Sequence, residues 1–246
     1  MVALGDLNEL RGANKQLQSL VEAEVADLFM MLSEHDLEDA QSILHQLLPE
    51  LVNEYGQIAQ ATAAEWYEST YGARAYMLDS GTPAAAVHSN VGYQASQAAE
   101  GGLVNRLSNI QAAAVRHVRN QGRQTITHSA ERNGAGWARV PQGAKTCAFC
   151  LMLASRDADF LYRSKRAAEK RSSDGKDYHD DCNCEAVQIN SWDDYPEGYD
   201  PATYYEIYNS AANAANSRLD TEAITKAIRR MHPDLVNDGV YPKDDD

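Results

Sequence analysis

Outside the window from Cys147 to Cys184 the chain contains no cysteine, and nowhere does it contain an apolar run long enough to span a membrane. Its first residues, Met1 to Glu9, lack the basic start and apolar core of a secretory signal, which argues against an exported domain built on disulfides. Positive charge is also scarce. The formal net charge is -14, and the first sixty residues carry eleven acids against only Arg11 and Lys15. That balance argues against a protein that coats nucleic acid through its phosphates. Two catalytic signatures are missing as well. No Gly-x-Ser-x-Gly nucleophile turn occurs, and no His-x-Glu precedes a Pro-Cys-x-x-Cys as zinc deaminases require.

What the chain does have is a tight cluster of soft metal ligands. Thr146-Cys147-Ala148-Phe149-Cys150 supplies a Cys-x-x-Cys, and Tyr178-His179-Asp180-Asp181-Cys182-Asn183-Cys184 supplies a histidine and a second cysteine pair. A Cys-x-x-Cys turn brings two thiolates to one metal ion, and a second pair completes a tetrahedron, the arrangement of structural Zn2+. A thioredoxin-like redox pair would need a βαβ setting that the surrounding sequence lacks, and it would leave the second pair unexplained. Five candidate ligands, Cys147, Cys150, His179, Cys182 and Cys184, face four coordination positions. Either four cysteines bind with His179 hydrogen-bonded behind a sulfur, or His179 replaces one of the later cysteines. Both sets close the coordination sphere with protein atoms, which makes the site structural, since a catalytic zinc keeps a position for water.

Hydrophobic spacing organises the rest. Leu7, Leu10, Leu17, Val21, Val25 and Leu28 predict a helix ending near Leu32, and Ser33 to Asp36 offers a new N-cap. The next predicted helix starts near Leu37, is kinked by Pro49 and stops at Gly72. Thr82-Pro83 reads as the cap and first turn of a third helix, and Gly101-Gly102 separates it from a fourth, Leu103 to Arg132. Trp137 to Pro141 predicts a strand entering the cysteine turn, and Phe149 to Leu153 a short helix. Phe160-Leu161-Tyr162 is expected to pair with Val187-Gln188-Ile189 beneath the metal. Asp200 and Asp220 cap two further helices, and the last dozen residues read as an arm. The expected fold is therefore α+β and predominantly α-helical, with helices over 1–132, a zinc-stabilised β/α module over 133–190, and C-terminal helices with an acidic tail over 191–246.

Charge is uneven along this plan. Arg106, Arg116, Arg119, Arg123, Arg132 and Arg139 make the middle basic between two acidic ends, a pattern suited to an oriented contact with a charged partner. Arg116, Arg119 and Arg123 share one helix face, where three guanidinium groups suit DNA phosphates or an acidic protein surface, or simply form a solvated face. His128-Ser129 with Glu131, and His88-Ser89, are the only pairings suggestive of a serine protease; adjacent helical residues diverge, so neither makes a ready nucleophile-base pair. His179 with Asp180 and Asp181 is the corresponding set for a metal nuclease, and it lacks an open metal position.

Three segments together resemble a known family. Trp137-Ala138-Arg139-Val140-Pro141, Thr146-Cys147-Ala148-Phe149-Cys150-Leu151-Met152-Leu153-Ala154-Ser155-Arg156 and His179-Asp180-Asp181-Cys182-Asn183-Cys184 resemble the phage Mu F-like minor head (minor capsid) proteins, in particular those of tailed phages of actinobacteria. The likeness covers roughly residues 100 to 190. Asn183 stands where that family commonly has Arg, and Asp180-Asp181 where it has Pro-Asn, leaving the ligand residues intact. The resemblance implies a low-copy virion component at or near the portal, acting in head assembly or in DNA packaging and ejection; the missing catalytic signatures make the expected role structural and non-enzymatic. It implies the portal protein or the major capsid protein as partner, contact with packaged phage DNA, and no membrane or small-molecule substrate. It places the protein in the phage head or portal vertex, and in the host cytoplasm during assembly. A capsid maturation protease is the alternative, because proteins of this kind are sometimes so labelled.

Overall fold

The computed structural model describes residues 4–98, 102–142, 145–155, 182 and 184–238. Helix dominates, with one small sheet among the described residues, so the fold is α+β and predominantly α-helical. The chain divides into two compact units at the junction of Ser129 and Ala130.

The first unit is built from long helices. Helix α1 (Leu4–Met31) passes through a short 3-10 turn, Leu32–Glu34, into α2 (Leu37–Tyr71). Asp36 caps α2 as its spacing predicts, accepting the Asp39 N–H at 2.9 Å. The helix continues through Pro49 and ends at Gly72, whose φ of 61° is the left-handed conformation that glycine adopts without a Cβ clash. Helix α3 spans Ala84–Ser96 and α4 spans Leu107–Arg132. Their shared core includes Val21, Val25 and Leu28 of α1, Leu44, Leu48 and Val52 of α2, Val91 of α3, and Ile110, Ala114 and Val118 of α4.

Two details depart from the sequence reading. Thr82 does not cap α3, whose N-cap is Pro83. The Thr82 hydroxyl instead accepts from the Gln121 amide at 3.1 Å, and its carbonyl accepts from Asn53, so a half-buried polar cluster outcompetes the cap. Helix α4 is also buried on nearly every side, although its arginine row was expected to face outward. Its Thr125 and Ser129 hydroxyls fold back onto the carbonyls of Gln121 and Thr125, at 3.1 and 2.6 Å, which is how so polar a helix enters a core.

The second unit begins in the last turn of α4. Gly134, at φ 74°, ends that helix in a Schellman-type turn, with Gly134 N–H bonded to Glu131 and Ala135 N–H to Ala130. Strand β1 (Gly136–Val140) then pairs antiparallel with β2 (Glu185–Ile189), in the register Gly136 to Ile189 and Val140 to Glu185. The observed partner of Val187 to Ile189 is thus β1; Phe160 to Tyr162, the expected partner, lie outside the described residues. Between the strands in sequence lies helix α5 (Ala148–Ala154), which packs with α6 (Pro201–Ala214) and α7 (Thr221–Met231). Leu151, Met152, Ile207, Ala211, Ile224 and Ile228 form that core. Asp200 and Asp220 cap α6 and α7, as read from the sequence. No helix among the described residues is long and apolar enough to cross a membrane.

Candidate metal centre

The register of the sheet brings the cysteines together. Val140, the last residue of β1, lies opposite Glu185, the first of β2, so the chain leaving β1 toward Cys147 and the chain arriving through Cys184 share one end of the sheet. Cys147 is the N-cap of α5, and its Sγ accepts the Cys150 N–H at 3.1 Å. That turn aims Cys150 inward. Its Sγ lies 3.3 Å from the Sγ of Cys182, and the sulfurs of Cys150, Cys182 and Cys184 all lie within 4.8 Å of one another. A disulfide bond is about 2.05 Å long, and all four cysteines are buried free thiols.

The donors fit a metal ion. Thiolates about 2.3 Å from a shared tetrahedral Zn2+ stand about 3.8 Å apart, and the observed cluster needs only small sulfur shifts to meet that spacing. Among the described residues the set is soft, buried and made of sulfur alone, which selects zinc-like over calcium-like cations. Cys147 adjoins the trio through Cys150, while His179, the other candidate ligand, lies outside the described residues together with Asp180 and Asp181. Hydrogen bonds with Cys147 and then Cys182 push Cys150 well above the ordinary thiol value, and burial does the same to Cys184. Binding a cation therefore expels protons from the cluster.

A support that the sequence reading missed holds the Cys147 turn from outside. Residues 235–238, expected to be the start of a free arm, run alongside it. Thr146 N–H donates to Leu235 at 3.1 Å, Asn237 N–H donates to Thr146 at 3.0 Å, and Thr146 and Val236 form a parallel bridge. The Asp238 carboxylate accepts the Ala148 N–H at 2.9 Å and takes Nε and Nη2 of Arg229 at 3.2 and 2.8 Å. Backbone on both sides of Cys147 is thereby fixed. The apolar pair Leu235-Val236 after Pro233 is the signal that could have marked this segment as packed.

A family model described as VG15 protein matches residues 1–211. The chain belongs to the VG15 protein family. It is 42% identical over 72 residues to the Gene 15 protein of Mycobacterium phage L5, covering 25% of this chain and 24% of that relative. It is 44% identical over 54 residues to the Gene 15 protein of Mycobacterium phage D29, covering 20% of each. The matched stretches thus span about a quarter or less of these curated relatives. No solved structure matches. This member of the VG15 family is a phage protein of actinobacteriophage type.

The remaining singled-out residues of the VG15 chain sit elsewhere. Arg116 is half-buried, with Nη2 3.3 Å from Nε2 of His117, while Arg119, Arg123 and Arg139 are buried. Part of the basic middle is therefore internal, because α4 is enclosed and β1 is covered on both faces. Ser129 is fully buried; its hydroxyl donates to Thr125 and accepts the Tyr76 N–H at 2.8 Å, and the ring of His128 stands edge-on to Tyr76. His88 engages the carbonyl of His45 at 2.8 Å, and Ser89 is exposed.

Proposed function

We propose that this VG15 family protein is a structural, non-enzymatic minor capsid protein of a tailed phage, stabilised by one Zn2+ in its second unit. It acts at or near the portal, in head assembly or in DNA packaging and ejection. The observation that carries this reading is the buried sulfur trio Cys150, Cys182 and Cys184, formed by the same cysteine pattern that resembles the Mu F-like minor head proteins. Membership of a family with mycobacteriophage relatives supports it. The ion would be held by Cys150, Cys182 and Cys184, with Cys147 or His179 completing the sphere. Bound there, it would tie the start of α5 to the start of β2 and so close off the charged stretch that lies between the two cysteine pairs in sequence.

The chemistry at Ser129 favours this reading over a protease. A serine buried and hydrogen-bonded through both donor and acceptor to backbone is a packing residue. The partners on this reading are the portal protein or the major capsid protein, with packaged DNA as a further contact. Mass spectrometry of purified virions tests it: the protein is expected at low copy in DNA-filled heads, and it should be required for their assembly or infectivity. Virions that lack the protein would overturn the reading. Capsid-protein cleavage that stops in a Ser129→Ala phage would transfer the case to the protease.

A further inference from the structure

A groove on the first unit, between α1 and α2, combines an exposed apolar stripe with concentrated negative charge. It encloses about 420 Å³. Leu51 and Tyr55 form its floor, and Met31 and Leu47 stand at one end, 64% and 37% exposed. The stripe runs on beyond the groove along both helices. Leu20 lies eleven residues before Met31 on α1, and Ile58 lies eleven residues after Leu47 on α2; they are 54% and 47% exposed. Because eleven residues make three helical turns, each stripe keeps to one helix face for about 16 Å.

The middle of the groove is acidic. Glu24 and Asp27 line it from α1, Glu50 and Glu54 from α2, and no cationic side chain is among its lining residues. Glu24 with Asp27, and Glu50 with Glu54, are like charges one turn apart, a spacing that weakens a helix in isolation. The field they create is felt at the floor. Burial pushes the Tyr55 phenol above its ordinary value, and the neighbouring charges of Glu24 and Glu54 push it further.

We infer that this groove docks a basic amphipathic helix of a partner protein, whose apolar residues seat on the Met31, Leu47 and Leu51 stripe while its lysines or arginines meet the four carboxylates. The inference does not rest on the metal site or on the virion reading. Shape and charge select this occupant over others. Nucleic acid is repelled by the carboxylates. A second copy of the chain, at a net charge of -14, would set acid against acid if the groove faced itself across a twofold axis. A helix laid in an apolar groove places residues at i, i+4, i+7 and i+11 on its floor, which matches the length of the stripe.

The test is fluorescence anisotropy of the full-length protein with a labelled designed peptide helix, leucine at those positions and lysine flanking them. Three double variants accompany the wild type: Glu50→Lys/Glu54→Lys, Met31→Ser/Leu47→Ser, and the charge-matched Glu9→Lys/Glu65→Lys, whose exposed residues lie off the groove. Saturable binding is expected, weakened at least about tenfold by each of the first two pairs and unchanged by the third. Absence of binding, an equal loss in the third variant, or indifference to Met31→Ser/Leu47→Ser would each overturn the proposal. Concentration-dependent self-association abolished by Met31→Ser/Leu47→Ser would assign the face to a second copy instead.

Discussion

Cys150 has the most to lose from substitution. Its sulfur touches Cys182, its N–H is held by Cys147, and its side chain is wholly buried. Cys150→Ser keeps the shape and removes the soft donor. Its effect on zinc affinity, read by chelator competition, should exceed the roughly 10–100-fold loss typical when a residue behind a ligand is changed. Asp238 is such a residue. It ties the first N–H of α5 to Arg229, in a pair that is about a quarter to a third exposed and so moderately screened. Asp238→Ala should destabilise the second unit by about 1–2 kcal/mol and weaken zinc binding roughly tenfold. Denaturant unfolding and metal competition read the two effects separately, and an unchanged zinc affinity would confine Asp238 to packing.

Among the elements, α6 carries the clearest pH signature. The Thr203 hydroxyl donates to the Asp200 carboxylate at 2.7 Å, and the N–H groups of Thr203 and Ala202 add to it, so that carboxyl is held below its ordinary value. A group depressed in the folded state stabilises the fold above its unfolded value of about 3.9, and that contribution fades as pH falls through the folded value. Asp200→Ala should therefore cost about 1 kcal/mol near neutrality, with the difference from wild type closing below about pH 4. The contact between α2 and α4 makes a second test. A Cβ on Gly122 would lie 2.9 Å from the backbone oxygen of Ala59, a spacing that forces one helix away from the other. Gly122→Ala should thus destabilise by about 1–3 kcal/mol, reversing the gain of up to about 1 kcal/mol that alanine normally brings to a helix interior. A raised melting temperature would contradict the close approach.

Element boundaries were legible wherever a local signal decided them. Asp36, Asp200 and Asp220 cap where their side chains can reach the next N–H groups, and Gly72 ends α2 because it tolerates a positive φ. What the sequence concealed was non-local. Thr82 looks like a cap in isolation but is drawn into the Gln121 cluster from 39 residues away. The Arg119 and Arg123 face of α4 reads as surface because a periodicity argument treats arginine as outward-facing, yet both are enclosed. The gathering of Cys150, Cys182 and Cys184 was legible to the level of residue type, since Cys-x-x-Cys and Cys-x-Cys carry their own spacing. The clip by residues 235–238 was not placed, because the apolar pair Leu235-Val236 signals packing but is too short to give a period that says against what.

At the scale of the whole molecule, the two units rely on different forces. The first has an extensive apolar core drawn from four helices. Among the described residues the second has an apolar core on α5, α6 and α7, a two-stranded sheet and the sulfur cluster. Chelation should therefore lower or abolish the unfolding transition of the second unit and leave most helical circular dichroism in place, because α1 to α4 hold no residue of the cluster. A single transition unmoved by chelator would contradict that division. The most direct test of the account is elemental analysis of the purified full-length chain after extensive dialysis, with Cys150→Ser alongside. About one tightly held zinc per chain, absent from the variant, is the expected result. A folded wild-type chain that carries no metal and takes up none when zinc is added would contradict it.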